Sequence, residues 1–516
     1  MVAKVVGELN VDGVRLELEN VVRWLSGAVG DETAAAHDVE RELFRKVLEM
    51  GRQLFGAFLS AIGNGDRGAE VTVSNTSADA GASASASAEA STAQTRVLMR
   101  FAGEHRRRLL TVFGEFTLSR CVYGADERQA IEFAPTDQRL QLPASEVSYL
   151  LQEWDQLLGI EQAFGVVRDT LTAILRIRQS VDTLERGSRQ MAESASAFRA
   201  QQPAPDPQTE GELLIVTEDN KGIPMVRPTD APPPGTHLTK GQKKNKKKMA
   251  CVGCAYSVDR HVRTPEELVA TLFRDVDRPR LPPPVAQHKR YWASLTREVP
   301  NAAGALAEIN GQREVFQSLR DDIALRRKPT QVLVNLSDGQ RSLETDRDEY
   351  LPRDEHTVDI LDLLHVLPRL WKAAHLFHSE ASAEATAFVR QRLLRVLQGR
   401  TKSVIADLRR QGTLRKLPST KKQKLRRLTA FLEANLHRLH YDEYLAAGYP
   451  IATGVIEGAC RHLIKDRMER TGMRWKIPGA QAMLDLRTIH TNGDWESYQT
   501  FRITQETKRL YPHNAA

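Results

Sequence analysis

The spacing of apolar residues predicts an amphipathic helix near the N-terminus, followed by a segment too polar to form a core. Between residues 38 and 62, apolar side chains recur at the spacing of one helix face. These side chains are Val39, Leu43, Val47, Leu54, Phe55, Phe58 and Ile62. The face either packs on the body of the protein or pairs with a copy of itself. Residues 64–95 are mostly Ala, Ser, Gly and Thr, a composition that predicts a flexible linker.

A β-hairpin and then three helices are predicted after this linker. Two β-rich runs flank Gly114 and Glu115 within residues 107–123, which is the pattern of a hairpin. The helical patterns that follow cover residues 150–158, residues 161–175 and a stretch that begins at Ser180.

The last two of these helices have the outline of a helix-turn-helix. Ser180 is a favourable N-cap, and Asp182 lies in the first turn of the polar helix that follows. In a helix-turn-helix, Thr183, Arg186 and Arg189 would face DNA. An ordinary helical hairpin explains the same pattern equally well, so both interpretations stay open.

From residue 210 onward, short apolar runs alternate with helical patterns, which predicts an α/β sheet domain. Two strands are predicted to end at Asp219 and Asp338. Further strands are predicted over residues 249–258, 291–295 and 358–361, and helices over residues 265–273, 302–325 and 363–377. Residues 380–447 are helical and basic, so we interpret them as an insertion.

These patterns divide the chain into seven segments. The divisions follow changes in composition and in apolar period. The predicted segments are an N-terminal helical segment (1–63), a disordered Ala/Ser linker (64–95), a β-hairpin plus helix-turn-helix-like DNA-binding region (96–200), a linker (201–209), the first part of an α/β core (210–379), the basic helical insertion (380–447) and the last part of the core with the Glu457 helix and a C-terminal tail (448–516).

Charge is distributed unevenly along the 516 residues, of which 41% are hydrophobic. The formal net charge is +7. Residues 400–427 contain eleven Lys and Arg against one acid, Asp407, a local net charge of +10 that leaves 7 − 10 = −3 for the rest. Local basicity of this kind favours binding to a polyanion such as DNA. The alternative is a solvated helical insertion that has no partner.

The chain shows no sequence signal for secretion, membrane insertion or ATP binding. Its four cysteines are too few and too scattered for a disulfide framework, and it has neither a signal-peptide pattern nor a long apolar run. Walker A and dinucleotide-binding glycine motifs are absent as well. Cys251 and Cys254 have the spacing of zinc ligands, but the chain lacks a second such pair. They also lie in an apolar strand, where residues i and i+3 face opposite sides, so a zinc site is not predicted. We therefore predict a cytoplasmic, nucleoid-associated protein that binds neither membrane nor ATP.

Three acidic residues occupy positions suited to divalent-metal chemistry on a phosphodiester. Asp219 and Asp338 each follow an apolar strand pattern, and Glu457 lies near the start of a helical stretch. Carboxylates on two strands and a helix can hold two Mg²⁺ ions about 3.5–4 Å apart, which stabilise the attacking and leaving oxygens. Each acid alone could be a turn residue or a helix cap. Together they indicate a catalytic and metal-binding set for Mg²⁺, with Mn²⁺ as a substitute.

Basic residues near these acids are candidates for phosphate contacts. Arg461 and Lys465 follow Glu457 at the spacing of one α-helical face, and an ion-pair ladder on a surface helix is the alternative. A lysine-rich loop joins the strand of Asp219 to the next strand. The predicted DNA-binding set is Lys243, Lys244, Lys246, Lys247, Arg461, Lys465, Arg186, Arg189, Lys421, Lys422 and Arg426.

Several segments resemble the DDE transposases of bacterial insertion sequences, specifically the ISKra-type family. The resemblance covers roughly residues 96–512. It is carried by residues 216–225 (VTEDNKGIPM), 332–339 (VLVNLSDG), 359–374 (DILDLLHVLPRLWKAA), 448–475 (GYPIATGVIEGACRHLIKDRMERTGMRW), 479–487 (GAQAMLDLR) and 492–495 (NGDW). One departure is Asn220, where such sequences usually carry Gly, and Asn also suits a tight turn.

The resemblance implies an RNase H-like core, a mixed sheet with flanking helices, in which Asp219, Asp338 and Glu457 are the catalytic acids. Asp362 and His365 resemble the C/D-x-x-H signature of many such transposases, with an expected role in structure or DNA positioning. Asp362 is also a rival for the second catalytic acid. We prefer Asp338, since it follows the cleaner strand and begins an Asp-Gly turn.

The activity implied is metal-dependent cleavage of element ends and joining of the 3′-hydroxyls to target DNA. The expected partners are the terminal inverted repeats, target DNA and further copies of the chain in a homo-oligomer. Two alternatives stay open. One is an RNase H-like nuclease that cuts without joining, and the other is a non-catalytic DNA-binding protein derived from a transposase.

Overall fold

The computed structural model describes residues 12–75, 95–126, 130–226, 247–275, 282–301, 304–452, 454–470 and 472–515. The strands in these ranges are β1 (Glu70–Asn75), β2 (Thr95–Arg100), β3 (His105–Thr111), β4 (Gly114–Arg120), β5 (Tyr123–Gly124), β6 (Leu213–Pro224), β7 (Lys247–Val258), β8 (Gln287–Leu295), β9 (Arg297–Pro300), β10 (Leu306–Ile309), β11 (Val332–Ser337), β12 (Thr357–Leu361) and β13 (His513–Ala515).

Helices make up much of the rest of the described chain, and none of those described is both long and apolar enough to cross a membrane. The first ten are α1 (Asp12–Val29), α2 (Ala36–Ile62), α3 (Pro135–Leu140), α4 (Tyr149–Gly159), α5 (Phe164–Leu175), α6 (Val181–Ala192), α7 (Ala195–Arg199), α8 (Pro265–Leu272), α9 (Gly311–Arg326) and α10 (Arg341–Tyr350). The others are α11 (Leu363–Phe377), α12 (Ala383–Leu397), α13 (Thr401–Leu414), α14 (Ser419–Ala434), α15 (Tyr441–Ala446), α16 (Gly454–Ala459), α17 (Asp466–Met468), α18 (Ile477–Thr491) and α19 (Trp495–Leu510), with a short 3-10 helix at Leu436–Arg438.

The chain forms two compact units. Unit 1 consists of Met1–Phe198 together with Glu496–Ala516, and unit 2 consists of Arg199–Trp495. No helix or strand lies between residues 200 and 212, where the sequence predicts a linker. Strands and helices occur in both units, so the protein is of mixed α/β class.

In unit 1, the long amphipathic helix α2 packs on the β3–β4 hairpin. Leu59 of α2 is buried in one cluster with Leu109 and Leu118 of the hairpin. The Phe55 ring lies edge-on to the Phe116 ring, with 5.4 Å between ring centres. The apolar face of this helix is therefore used within unit 1, as one of the two interpretations expects.

The predicted linker at residues 64–95 is wrong over its first part. Residues 70–75 form β1, which pairs antiparallel with β2 from Glu70 opposite Met99 to Ser74 opposite Thr95. Val71 and Val73 alternate with polar residues and are buried beside Leu98, which is enough apolar surface to hold a strand. Residues 76–94, the Ala- and Ser-rich part of the prediction, lie outside the described residues.

The assignment of residues 448–516 to the α/β core is wrong for the last part, since Glu496–Ala516 belongs to unit 1. Tyr498 is buried, its ring centre lies 5.1 Å from that of Phe198, and its hydroxyl donates to the Met191 carbonyl. Strand β13 pairs antiparallel with β1. Burial of aromatic rings and strand pairing thus attach the C-terminal segment to residues far away in sequence.

Helices α4, α5 and α6 are the helices of unit 1 that follow the hairpin and α3. The Ser180 hydroxyl caps α6 by accepting a hydrogen bond from the Thr183 amide at 3.0 Å, as the sequence predicts. Leu184 of α6 is buried against Val167 and Leu171 of α5. This packing is common to a helix-turn-helix and to an ordinary helical hairpin, so the contact with DNA stays a prediction.

Unit 2 is built on a five-stranded mixed sheet in the order β12-β11-β6-β7-β8. Strands β6, β11 and β12 run parallel, whereas β6, β7 and β8 are successively antiparallel. Helix α9 covers one face, where Val315, Phe316 and Leu319 are buried with Leu214 and Val216 of β6.

Two predicted element boundaries in unit 2 are wrong. The predicted helix at residues 302–325 begins only at Gly311, because the Asn310 side chain caps it by accepting from the Gln312 and Arg313 amides. Residues before this cap form β10, which pairs with β9. Strand β6 does not end at Asp219 but continues to Pro224, since β7 pairs with it along its whole length.

Candidate active site

The two aspartates lie at the same level on neighbouring parallel strands. Ser337 at the end of β11 is in register with Glu218 of β6. Asp219 is the next residue of β6 and Asp338 directly follows β11, so the sheet brings together carboxylates that are 338 − 219 = 119 residues apart in sequence. Asp338 is half-buried and its Oδ1 accepts a hydrogen bond from the Gln340 amide at 2.7 Å.

Glu457 is brought to the two aspartates by α16. Burial raises the pKa of Glu457, and the negative charges of Asp219 and Asp338 raise it further. Among the described residues, its Oε2 atom is buried and accepts no hydrogen bond. A buried carboxylate oxygen without a donor costs free energy, so this atom faces an environment suited to a cation or a proton.

Asp219 has a similar electrostatic environment. Burial raises its pKa, with a smaller upward effect from Asp338, while hydrogen bonds from the Asn220 amide and the Cys460 thiol act in the opposite direction. The amide lies 2.7 Å from Oδ1 and the Cys460 Sγ lies 3.4 Å from Oδ2. The three acids are thus mutually repelling neighbours contributed by two strands and a helix.

Asp362 and His365 both lie at the start of α11, and His365 contacts one of the acids. The Asp362 side chain is buried and caps the helix, with Oδ1 accepting from the Leu364 amide at 2.7 Å. His365 Nε2 lies 3.9 Å from Glu457 Oε1, and both side chains are about one-third exposed. Asp362 is 2% exposed, whereas Asp338 is only half-buried and its charge acts on both Asp219 and Glu457, which favours Asp338 as the second acid.

The carboxylates of Asp219, Asp338 and Glu457 are the kind of oxygen ligand that a hard divalent cation prefers, but they do not form a complete coordination shell. Within the described ranges, no group of three or more His, Cys, Asp or Glu residues is arranged so that it could hold a metal ion. Mg²⁺ prefers oxygen ligands, keeps several waters and needs only one or two carboxylates. Glu457 Oε2, which accepts no hydrogen bond from the described residues, could serve as one such oxygen ligand. A bound cation would also relieve the electrostatic repulsion among the three acids.

Buried arginines support the strand ends that carry the aspartates. Arg347 Nη2 donates to Glu218 Oε1 at 2.8 Å, and both side chains are almost fully buried. Arg438 donates to the Ser337 hydroxyl at 3.3 Å and also to Glu344. Glu218 and Ser337 are the residues just before Asp219 and Asp338, so the Arg347–Glu218 ion pair and the Arg438–Ser337 hydrogen bond restrain the chain next to both acids.

The predicted single basic face after Glu457 is wrong. The chain forms α16, then a π-helical turn at Cys460–Lys465, then α17. A π-helical turn holds more residues than an α-helical one, so the α-helical i, i+4, i+8 spacing is lost. Arg461 and Lys465 are exposed, whereas Glu457 turns toward the aspartates, and the Arg461 guanidinium lies 3.6 Å from Asp466.

Other predicted DNA-binding residues are placed as follows. Lys243, Lys244 and Lys246 lie outside the described residues, and Lys247 forms an ion pair with Glu469. Arg186 and Arg189 are exposed on α6.

The basic segment at residues 400–427 presents its charge to solvent. All eleven of its Lys and Arg side chains are exposed, including the predicted Lys421, Lys422 and Arg426 on α14. Lys421 Nζ also donates to the Leu376 carbonyl at 3.2 Å. We call these eleven residues the basic surface.

Comparison of the sequence with protein-family models and with curated proteins gave no match in either case.

Sequence reasoning missed Cys460, Arg347 and Arg369 near the acids. Cys460 follows Glu457 by three residues, and Arg369 follows His365 by four, so helical spacing could have placed both near the site. Arg347 had no comparable signal, because its partner Glu218 is 129 residues away in sequence.

Proposed function

We propose that the protein is a DDE transposase of the ISKra type that binds insertion-sequence ends, cleaves them and joins them to target DNA. The observation that carries the proposal is the convergence of Asp219, Asp338 and Glu457 from two parallel strands and a helix. The mixed sheet flanked by helices supports the further proposal that unit 2 is an RNase H-like core.

Asp219, Asp338 and Glu457 would hold Mg²⁺, with Mn²⁺ as a substitute. When bound, the metal offsets phosphate charge and stabilises the attacking and leaving oxygens. The carboxylates supply the hard oxygen ligands, and Glu457 Oε2 is free of competing hydrogen bonds among the described residues. The buried Arg347–Glu218 pair holds the β6 backbone, so Asp219 stays fixed while its neighbours repel it.

DNA binding is assigned to basic side chains outside the acid cluster. The basic surface provides sequence-independent phosphate contacts, and Arg186 and Arg189 on α6 provide contacts to the element ends. Joining two ends requires both to be held at once, so we propose a homo-oligomer on DNA.

The test uses purified protein, Mg²⁺ and labelled DNA that carries the inverted repeats flanking the gene. We expect Asp219→Asn, Asp338→Asn and Glu457→Gln each to lower cleavage and strand transfer at least a hundredfold while DNA binding persists. Glu355→Gln, which removes an exposed carboxylate, is the matched control and should retain full activity. Full activity in all three acid variants would contradict the proposal.

The same assay separates the two alternatives. Metal-dependent cleavage without joined products would indicate a nuclease. Binding to the repeats without any metal-dependent cleavage would indicate a DNA-binding protein that lacks catalysis. If Asp338→Asn is active and Asp362→Asn is inactive yet folded, Asp362 is the second acid.

A further inference from the structure

The guanidinium of Arg369 stacks on an aromatic ring beside the candidate active site. It lies on α11, one turn after His365, and its guanidinium donates to the His365 carbonyl. Its Cζ atom lies 3.5 Å from the centre of the Phe431 ring on α14. Stacking on an aromatic face fixes the plane of the guanidinium and leaves its remaining N–H groups along the edge.

The charge of Arg369 is not neutralised by an ion pair within the described part of the chain, unlike that of Arg347 and Arg438, which pair with Glu218 and Glu344. Partial burial lowers the pKa of Arg369, and the nearby Asp338 charge acts in the opposite direction. Arg369 therefore lies within electrostatic range of an acid and still has hydrogen-bonding capacity to offer.

We propose that Arg369 binds a phosphate of the DNA strand that enters the acid site. The inference rests on the proposed function and deepens it, because it names a substrate-positioning residue. Three carboxylates repel a phosphodiester, so a strand held there needs a nearby cation. A planar guanidinium can bind a phosphate through two parallel hydrogen bonds.

Helix α14 connects this arginine to the basic surface. Its exposed basic residues, from Lys421 to Arg427, precede Phe431 on the same helix. A DNA backbone held by this helix would thus be guided toward Arg369 and then toward Asp338. The contact between Phe431 of α14 and Arg369 of α11 would then join the basic surface to the acid site.

The experiment measures binding of labelled duplex ends to the full chain in EDTA across a KCl series. Arg369→Gln should bind about tenfold more weakly, and the slope of log K against log[KCl] should fall in magnitude by about 0.9. The Arg369→Lys variant should keep the slope, since lysine keeps the charge. It should bind DNA more weakly, because lysine lacks the planar guanidinium that donates two parallel hydrogen bonds. Arg263→Gln is the control, because this half-buried arginine also donates to carbonyls and has no acid affecting its pKa.

Equal slopes for wild type, Arg369→Gln and Arg263→Gln would overturn the inference, even if the protein cuts and joins DNA. If Arg369→Gln does not fold, a Lys variant with wild-type affinity overturns the inference and a weaker Lys variant with the wild-type slope supports it. A protein that binds ends but never cuts contradicts the proposed function, while the slope still decides the role of Arg369. Failure of the wild type to bind DNA would overturn both.

Discussion

Asp155 in unit 1 is a buried carboxyl group whose protonation depends on the fold. Its Oδ1 accepts a hydrogen bond from Gln179 at 2.7 Å, and only 4% of the residue is exposed. Burial raises the pKa of Asp155 from 3.8 to about 7, although the bond from Gln179 opposes this. Because the folded state binds the proton more tightly, the stability it contributes is present at low pH and is lost between pH 3.8 and about 7.

We expect Asp155→Asn to remove this loss of stability. Between about pH 5 and pH 8, the free energy of unfolding of the wild type should fall by roughly 3 kcal/mol relative to that of the variant. The fall accumulates over the roughly two pH units between pH 5 and the folded-state pKa, and each of these pH units corresponds to about 1.4 kcal/mol. Urea unfolding of unit 1 at both pH values measures the difference. Asp169→Asn, which removes an exposed acid of α5, should follow the wild type. A constant difference between wild type and Asp155→Asn at all pH values would contradict the assignment.

At the residue scale, the sequence indicated which acids are candidates but not which residues they contact. Asp219 and Asp338 could be selected because each follows an apolar strand pattern, and Glu457 because it lies near the start of a helical stretch. The choice between Asp338 and Asp362 required the structure, which shows Asp362 buried and engaged as a helix cap. Hydrogen bonds between residues distant in sequence leave no local pattern to detect.

At the scale of elements, α2 stabilises the hairpin through one side of its surface. Leu59 is 7% exposed and packs on Leu109 and Leu118, whereas Leu54 on the same helix is 42% exposed. The two leucines therefore have the same chemistry in different environments, which makes them a matched pair.

We expect Leu59→Ala to destabilise unit 1 by about 2–5 kcal/mol, because it removes buried methyl groups and leaves a cavity. Leu54→Ala should cost less than about 1 kcal/mol. Hydrogen exchange of the β3 and β4 amides reports the change directly, since the hairpin loses its cover when the helix detaches. Equal effects of both substitutions would show that α2 does not stabilise the hairpin in solution.

Regular elements with strong periodicity were predicted well, and boundaries set by distant partners were not. The α2 helix, the β3–β4 hairpin, β7 and α11 were confirmed within a few residues. Helix α10 was not predicted, and α1 was covered only by the general prediction of a helical segment over residues 1–63. The strand β1 was missed because its short apolar alternation precedes a long Ala- and Ser-rich stretch that dominated the composition.

At the scale of the whole molecule, the charge distribution matters more than the net charge of +7. Ion pairs neutralise part of the exposed charge, for example where Arg409 pairs with Glu433 and Arg45 with Glu42. No ion pair is formed by Lys422 or Arg426 within the described ranges, and both project from α14 into solvent.

We expect the triple substitution Lys421→Ala, Lys422→Ala and Arg426→Ala to weaken binding to all DNA sequences. The slope of log K against log[KCl] should fall in magnitude by about 2–3, since each phosphate that the protein no longer neutralises lowers it by about 0.9. The control removes the same charge from α2 through Arg41→Ala, Arg45→Ala and Arg52→Ala and should change the slope less. The same change in slope for both triple variants would mean that net charge, not the basic surface, drives binding.

The sequence by itself determined the local elements, the position of the basic surface and the three candidate acids. Each of these follows from the period, composition or charge of a short stretch, which depends only on neighbouring residues. Tertiary structure alone decided that β6 and β11 are adjacent and in register, that α16 brings Glu457 beside both aspartates, and that α19 belongs to unit 1. The physical reason is that strand pairing and burial join segments that are far apart along the chain, and the free energy of those interactions is not encoded in any local pattern.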